Sequence, residues 1–160
     1  METRYIAKPG QFLTFVLRGQ SYGVPIETVR EINRITGIAP VPKTPAYVAG
    51  VINLRGKVIP VVDLGLRFEF SEVSITKESC IIVIESNHGQ VGTIVDAVSG
   101  VVTLAGDQIE PPPHLGDADK TSFIIGMGKT ENDVIILVDT VYALDANVQF
   151  PMEESMRQSA

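Results

Sequence analysis

Cysteine is nearly absent. Cys80 is the only one in 160 residues, so no disulfide can form within the chain and the cysteine-based metal patterns are missing. It opens the apolar run Cys80-Ile81-Ile82-Val83-Ile84, where a thiol serves as a small buried hydrophobe. Histidine is scarce too: His88 and His114 fall in segments that read as loops, and neither has a partner at metal-ligand spacing. No metal or cofactor is expected. Long apolar runs are lacking. Nowhere do 18 apolar residues follow one another, and METRYIAKPG at the start has no stretch of signal-peptide length. The expected location is cytoplasmic, without direct membrane insertion. Positive charge is in deficit, with 13 Lys and Arg against 19 Asp and Glu, a net charge of −6. Nucleic-acid binding needs a basic surface, so it is excluded as the expectation.

What the chain does have is apolar content, 44% against 20% charged, which is enough for a core and unlike a disordered protein. Its length suits one compact domain or two small fused lobes. The pattern also repeats. Phe12-Leu13-Thr14-Phe15 is matched sixty-nine positions on by Ile81-Ile82-Val83-Ile84. At the same offset Gly23 meets Gly92, Ile26 meets Val95, Glu27 meets Asp96, Val29 meets Val98 and Ile32 meets Val101. After an insertion of seven residues, Val58-Ile59-Pro60-Val61-Val62-Asp63 lies against Val134-Ile135-Ile136-Leu137-Val138-Asp139. The chain is therefore expected to hold two similar lobes within a single domain spanning 1–160, approximately 11–70 and 79–145, with 146–160 as a polar C-terminal tail.

Each lobe carries five short β-branched runs, at 11–18, 20–24, 30–36, 49–55 and 57–63, then at 79–86, 90–96, 98–105, 122–128 and 133–139. Short strands separated by glycine-bearing turns, such as Gly19-Gln20, Arg55-Gly56 and His88-Gly89, point to an all-β fold of two small barrels with a seam between them. Helix is expected only in brief turns, at 25–31 and at 44–50, with Thr140–Asp145 as a short helix or strand end and a frayed terminus favoured over a helix starting at Pro151. In the turn at 44–50, Thr44 would cap, Pro45 would start and Gly50 would stop a single turn. The stretch 105–121, with Pro111-Pro112-Pro113, reads as one long surface loop.

Little in the chain suggests catalysis. Gly126-Met127-Gly128-Lys129-Thr130 ends like a phosphate-binding loop, but Phe123 stands where that loop needs glycine. No serine sits in a nucleophile elbow. Asp63, Asp96 and Asp139 each end an apolar strand, where bonding nearby backbone amides is the ordinary role of aspartate. Two places look unlike plain scaffolding. Asn53-Leu54-Arg55-Gly56-Lys57 lifts an arginine on a hairpin, and Val29-Arg30-Glu31-Ile32 follows a short turn. Taken alone, each also fits an ordinary solvated turn or edge.

These segments, with Tyr22-Gly23-Val24, Pro42, 44–50, 58–64 and Val91-Gly92-Thr93-Ile94-Val95-Asp96-Ala97-Val98, resemble the CheW family over about positions 11 to 145. The resemblance implies two intertwined SH3-like five-stranded barrels. It implies a non-enzymatic adaptor that couples the cytoplasmic tips of methyl-accepting chemotaxis receptors to the regulatory domain of a CheA-type histidine kinase. Contacts with other CheW copies and recruitment to membrane-associated receptor arrays belong to the same expectation. By the same resemblance, Val29, Glu31, Asn53, Leu54, Arg55 and Gly56 would lie in or beside the partner-binding surfaces, pooled between kinase and receptor. A coupling domain joined to a receiver, and a fragment of the kinase, fit less well because 160 residues leave no room for the added segments. A small-molecule binder using the seam is a reading from another class.

Overall fold

The computed structural model describes residues 7–70, 75–86, 89–112 and 123–139. Thr140–Asp145 and the 146–160 tail, both His88 and His114, and Pro113 lie outside them. Eleven strands are present among the described residues. They are β1 (Gly10–Leu17), β2 (Gln20–Pro25), β3 (Val29–Arg34), β4 (Val48–Leu54), β5 (Lys57–Asp63), β6 (Cys80–Ser86), β7 (Gly89–Val95), β8 (Ala97–Leu104), β9 (Ile109–Glu110), β10 (Ile124–Lys129) and β11 (Val134–Val138). One short helix, α1 (Leu64–Arg67), follows β5, and two 3₁₀ turns occupy Ile26–Thr28 and Gly106–Gln108. No helix among the described residues is long and apolar enough to cross a membrane.

The strands form a six-stranded sheet ordered β8-β1-β2-β11-β10-β9 and a five-stranded sheet ordered β3-β6-β7-β5-β4. The fold is all-β with little helix, and the two sheets are intertwined. β1 and β2 leave the first half of the chain to join the later strands, while β6 and β7 cross the other way. The sixth strand, β9, is two residues long and falls in the stretch expected to be a loop.

Hydrogen-bond register reproduces the sequence repeat. Phe12 faces Pro25 across β1 and β2 as Ile81 faces Ile94 across β6 and β7. Bulges recur at equivalent places, between Val48 and Gly50 in β4 and between Ile124 and Gly126 in β10. The exchange is closed by two short parallel contacts, Leu137 with Gly23 and Val61 with Gly92.

Side chains alternate between faces along a strand, and here both faces of β1 and β6 are covered. Phe12 packs with Leu104, Ile125, Ile135 and Leu137 inside the six-stranded barrel. Ile81 and Val83 pack with Ile52, Ile59, Val61 and Ile94 inside the five-stranded one. Leu13, Phe15, Ile82 and Ile84 turn the other way and meet Leu17, Tyr22, Val24, Leu64, Val95 and Val138 in a core between the barrels. Among the described residues that seam is filled by packed side chains.

Two local expectations are corrected. Residues 44–50 hold no helix: Val48 N–H donates to the Pro45 carbonyl at 3.0 Å in a single turn, and β4 then begins. Gly50 is no helix stop. It sits at the β4 bulge with φ +145°, where an added Cβ would overlap the Ala39 carbonyl. Cys80 is half-buried at the start of β6, with Sγ donating to the Glu78 carbonyl at 3.3 Å.

Candidate functional site

Arg55 and Gly56 are the two loop residues of the β4–β5 hairpin, since Leu54 pairs with Lys57. Their φ values are +52° and +83°. Positive φ at both central positions is the type I′ turn, whose twist matches that of paired strands. Gly56 N–H donates to Asn53 Oδ1 at 2.8 Å, which ties the turn to the end of β4. Leu54 is half-buried and packs against the five-stranded core. The arginine therefore stands on a turn pinned from both sides.

Glu31 reaches it from β3. Arg55 Nη2 donates to Glu31 Oε1 at 2.8 Å and Oε2 at 3.0 Å. β3 and β4 are opposite edges of their sheet, so this ion pair spans the place where the curled sheet comes back on itself. An isolated bridge between Ala39 and Val51 closes the same gap nearby. The Glu31 carboxyl lies below its ordinary value, chiefly because Arg55 hydrogen-bonds its charged form; partial desolvation opposes this and Asn33 Nδ2, 3.4 Å away, assists. Arg55 keeps 70% of its side-chain area exposed, against 26% for Glu31. The acid is held while the guanidinium still faces solvent.

Five of the six residues singled out in the sequence thus gather at one end of the five-stranded barrel: Glu31, Asn53, Leu54, Arg55 and Gly56. Val29 starts the same strand as Glu31, but a bulge separates them and Val29 packs against the seam core. An open cleft of about 370 Å³ adjoins the cluster, with Ile52 and Leu54 as apolar lining and Asn33, Arg34, Thr36, Gly37 and Asn53 around it. Arg34 and Thr36 escaped the sequence reading. The alternating polar pattern of β3 signals its exposed edge, but a cleft formed by two edge strands has no local signature.

Of the three strand-end aspartates, Asp63 and Asp96 accept from backbone amides through their carboxylates. Asp63 Oδ1 accepts from Leu66 N–H at 3.1 Å and caps α1, and burial pushes its carboxyl upward. Its amide donates to the Tyr47 carbonyl at 2.7 Å, as the amide of Asp139 does to Phe123 at 2.8 Å, one repeat later. Asp96 binds Arg18 twice, through the backbone amide at 2.6 Å and through Nη1 at 2.9 Å.

Comparison with known proteins supplies a family. A family model described as a CheW-like domain matches residues 11–147. The chemotaxis protein CheW of Rhizobium meliloti is 38% identical over 144 residues, 90% of this chain and 89% of that one. The chemotaxis protein CheW of Klebsiella aerogenes is 35% identical over 129 residues, 81% of this chain and 78% of that one. Among solved structures, the scaffolding protein TtCheW from Thermoanaerobacter tengcongensis superposes with a TM-score of 0.79 at 36% identity, covering 88% of this chain and 96% of that one.

Proposed function

The chain belongs to the CheW-like family, and from that premise we propose that it is a chemotaxis adaptor, a non-catalytic scaffold coupling methyl-accepting receptors to a CheA-type histidine kinase. The two sequence repeats, about 11–70 and 79–145, would act as one domain because they exchange β1–β2 and β6–β7 between the barrels, and Val29, Glu31, Asn53, Leu54, Arg55 and Gly56 would contribute to the kinase- and receptor-contacting surfaces. The protein would work in the cytoplasm, at receptor arrays. Its mechanism would be linkage: partners on separate surfaces of one scaffold alter each other's favoured arrangement, with no chemistry by the scaffold itself.

The observation that carries the reading is the Arg55–Glu31 pair on a type I′ turn. Arginine is a preferred interface anchor because its planar fork donates several hydrogen bonds from a stem that packs on apolar surface. Here the fork is pre-oriented by Glu31, so little side-chain freedom remains to be lost on docking. The adjoining cleft offers apolar surface beside it.

Co-sedimentation with receptor-bearing membranes and the cognate kinase, read alongside kinase autophosphorylation, tests the function. The wild type should recruit the kinase and make its activity receptor-dependent. Binding neither partner, where a known coupling protein binds both, would refute the reading. Arg55→Glu should weaken recruitment about tenfold or more with the fold intact. Arg55→Asn removes the guanidinium while suiting the positive φ, so it should lose recruitment while still melting cooperatively, with a melting temperature lowered by no more than that of Glu31→Gln, which breaks the same ion pair. Normal recruitment by both variants would remove Arg55 from the surface.

A further inference from the structure

The β1–β2 hairpin repeats the local design of the β4–β5 hairpin but turns its arginine inward. Leu17 pairs with Gln20 around the loop residues Arg18 and Gly19, whose φ values are +50° and +80°. Arg18 does not face solvent freely: its side chain keeps 20% of its area and that of Asp96 keeps 24%. Asp96 grips the end of β1 in three ways. It accepts from the Arg18 amide and from Arg18 Nη1, and its own amide donates to the Val16 carbonyl at 3.0 Å.

The position of Asp96 gives these contacts their meaning. It lies between β7, in the five-stranded sheet, and β8, in the six-stranded sheet, where the chain passes from one barrel to the other. The Arg18 guanidinium continues to the element after β5. It lies 5.7 Å from the centre of the Phe70 ring, and a Cβ on Gly65 of α1 would come within 2.9 Å of Nη2. One side chain therefore joins a hairpin of the six-stranded sheet, the crossover between sheets, and the helix that ends the five-stranded sheet's β5.

The seam core beside it is largely apolar, and hydrophobic attraction is non-directional, so it does not by itself specify one setting of the barrels. A charge-assisted pair of hydrogen bonds demands one geometry. The repeat further separates this contact from what the fold requires. Sixty-nine positions on, Asn87 stands in the place of Arg18, and Glu27 holds the place corresponding to Asp96. The second half of the chain thus supplies the same strands without the arginine.

We propose that Arg18 is a positioning residue, a clamp that holds the two barrels in one relative setting so that partners on separate surfaces act on a single rigid body. The functional part of this rests on the adaptor reading; the structural part does not. Arg18→Asn copies the repeat's own residue and suits the positive φ, and Asp96→Asn removes the charge from the other side. Spin labels at positions 58 and 101, exposed on the five- and six-stranded sheets, placed in a Cys80→Ser background, report the barrel-to-barrel distance by pulsed dipolar spectroscopy. Wild type should give one narrow distance; Arg18→Asn and Asp96→Asn should each broaden or shift it, and Arg18→Lys should restore most of it. An unchanged distance in both asparagine variants would overturn the clamp. Kinase assays then separate the functional part: the variants should keep binary kinase affinity within about twofold while receptor control of autophosphorylation falls several-fold. A matching loss of both would reduce Arg18 to general stability. If the wild type itself fails to couple, the adaptor reading falls, and the distances still decide the clamp.

Discussion

Two carboxylates here are shifted in opposite directions, and their contributions to stability should run oppositely with pH. Glu31 is held below its ordinary value by Arg55. A lowered folded-state value contributes stability that is present above the unfolded value and disappears as pH falls through the folded one. Glu31→Gln should therefore be less stable than wild type near neutrality, and the difference should shrink to nothing as the pH drops below the ordinary carboxylate range. Asp63 is held above its ordinary value, mainly by burial, with the Leu66 amide and the Arg18 charge working against that rise. A raised value contributes stability below the unfolded value and loses it as pH rises through the folded one, so ionised Asp63 is a cost at neutrality. Asp63→Asn keeps an oxygen to accept from Leu66 and removes the charge. Relative to wild type it should improve from acid to neutral pH. Denaturant melts of both variants between pH 3 and 7 check the two slopes; parallel slopes would contradict the opposed environments.

At the scale of strands and turns, three glycines should be unequally replaceable. Gly50 sits at the β4 bulge in a positive-φ conformation, and its added Cβ would overlap backbone of Ala39. Gly92 lies on the parallel contact with β5, where the Cβ would come 2.8 Å from Ile81 Cγ2 and 3.4 Å from Val61 Cγ2. At Gly23, its repeat counterpart, the approaches are 3.1 Å to Ile135 and Leu137. Overpacking a well-filled core costs about 1–3 kcal/mol, more where backbone must move. Alanine should destabilise in the order Gly50, Gly92, Gly23, read from chemical melts. The same positions show where the sequence could and could not be read. Apart from the two-residue β9, each strand was legible to within about two residues because β-branched runs end at glycine turns. The turn carrying Arg55 was equally plain. A helix stop and a bulge with a carbonyl alongside ask for the same residue, so glycine at position 50 does not distinguish them in sequence. α1 escaped notice because Leu64-Gly65-Leu66-Arg67 is too short for periodicity and depends on the Asp63 cap. The Glu31–Arg55 pair joins opposite sheet edges, so only the closed barrel brings it about.

For the whole molecule, the decisive property is that neither sheet can be completed by one half of the chain. β1 and β2 need β8 and β11 as neighbours; β6 and β7 need β3 and β5. The repeat showed that the halves are alike, but likeness is compatible with two self-contained barrels or with exchange, and local pattern does not choose between them. Burial on both faces of β1 and β6 decides it energetically. Each places one set of side chains inside its own barrel and the other in the shared seam. An isolated half would expose the seam set, including Leu13, Phe15 and Tyr22 or Ile82, Ile84 and Val95, together with unpaired strand edges. At about 25 cal/mol per Å² of apolar surface, such a loss exceeds the few kcal/mol by which a domain this size is stable. Fragments cut between α1 and β6 should therefore each lack cooperative unfolding and near-ultraviolet ellipticity when alone. Mixed in equal amounts, they should regain both, because every strand then finds its neighbours. Two independently folding fragments would mean that the seam and the exchanged edges matter far less than their burial indicates. Reassembly would also explain how a chain with a single cysteine, and so no internal disulfide, keeps two barrels as one unit.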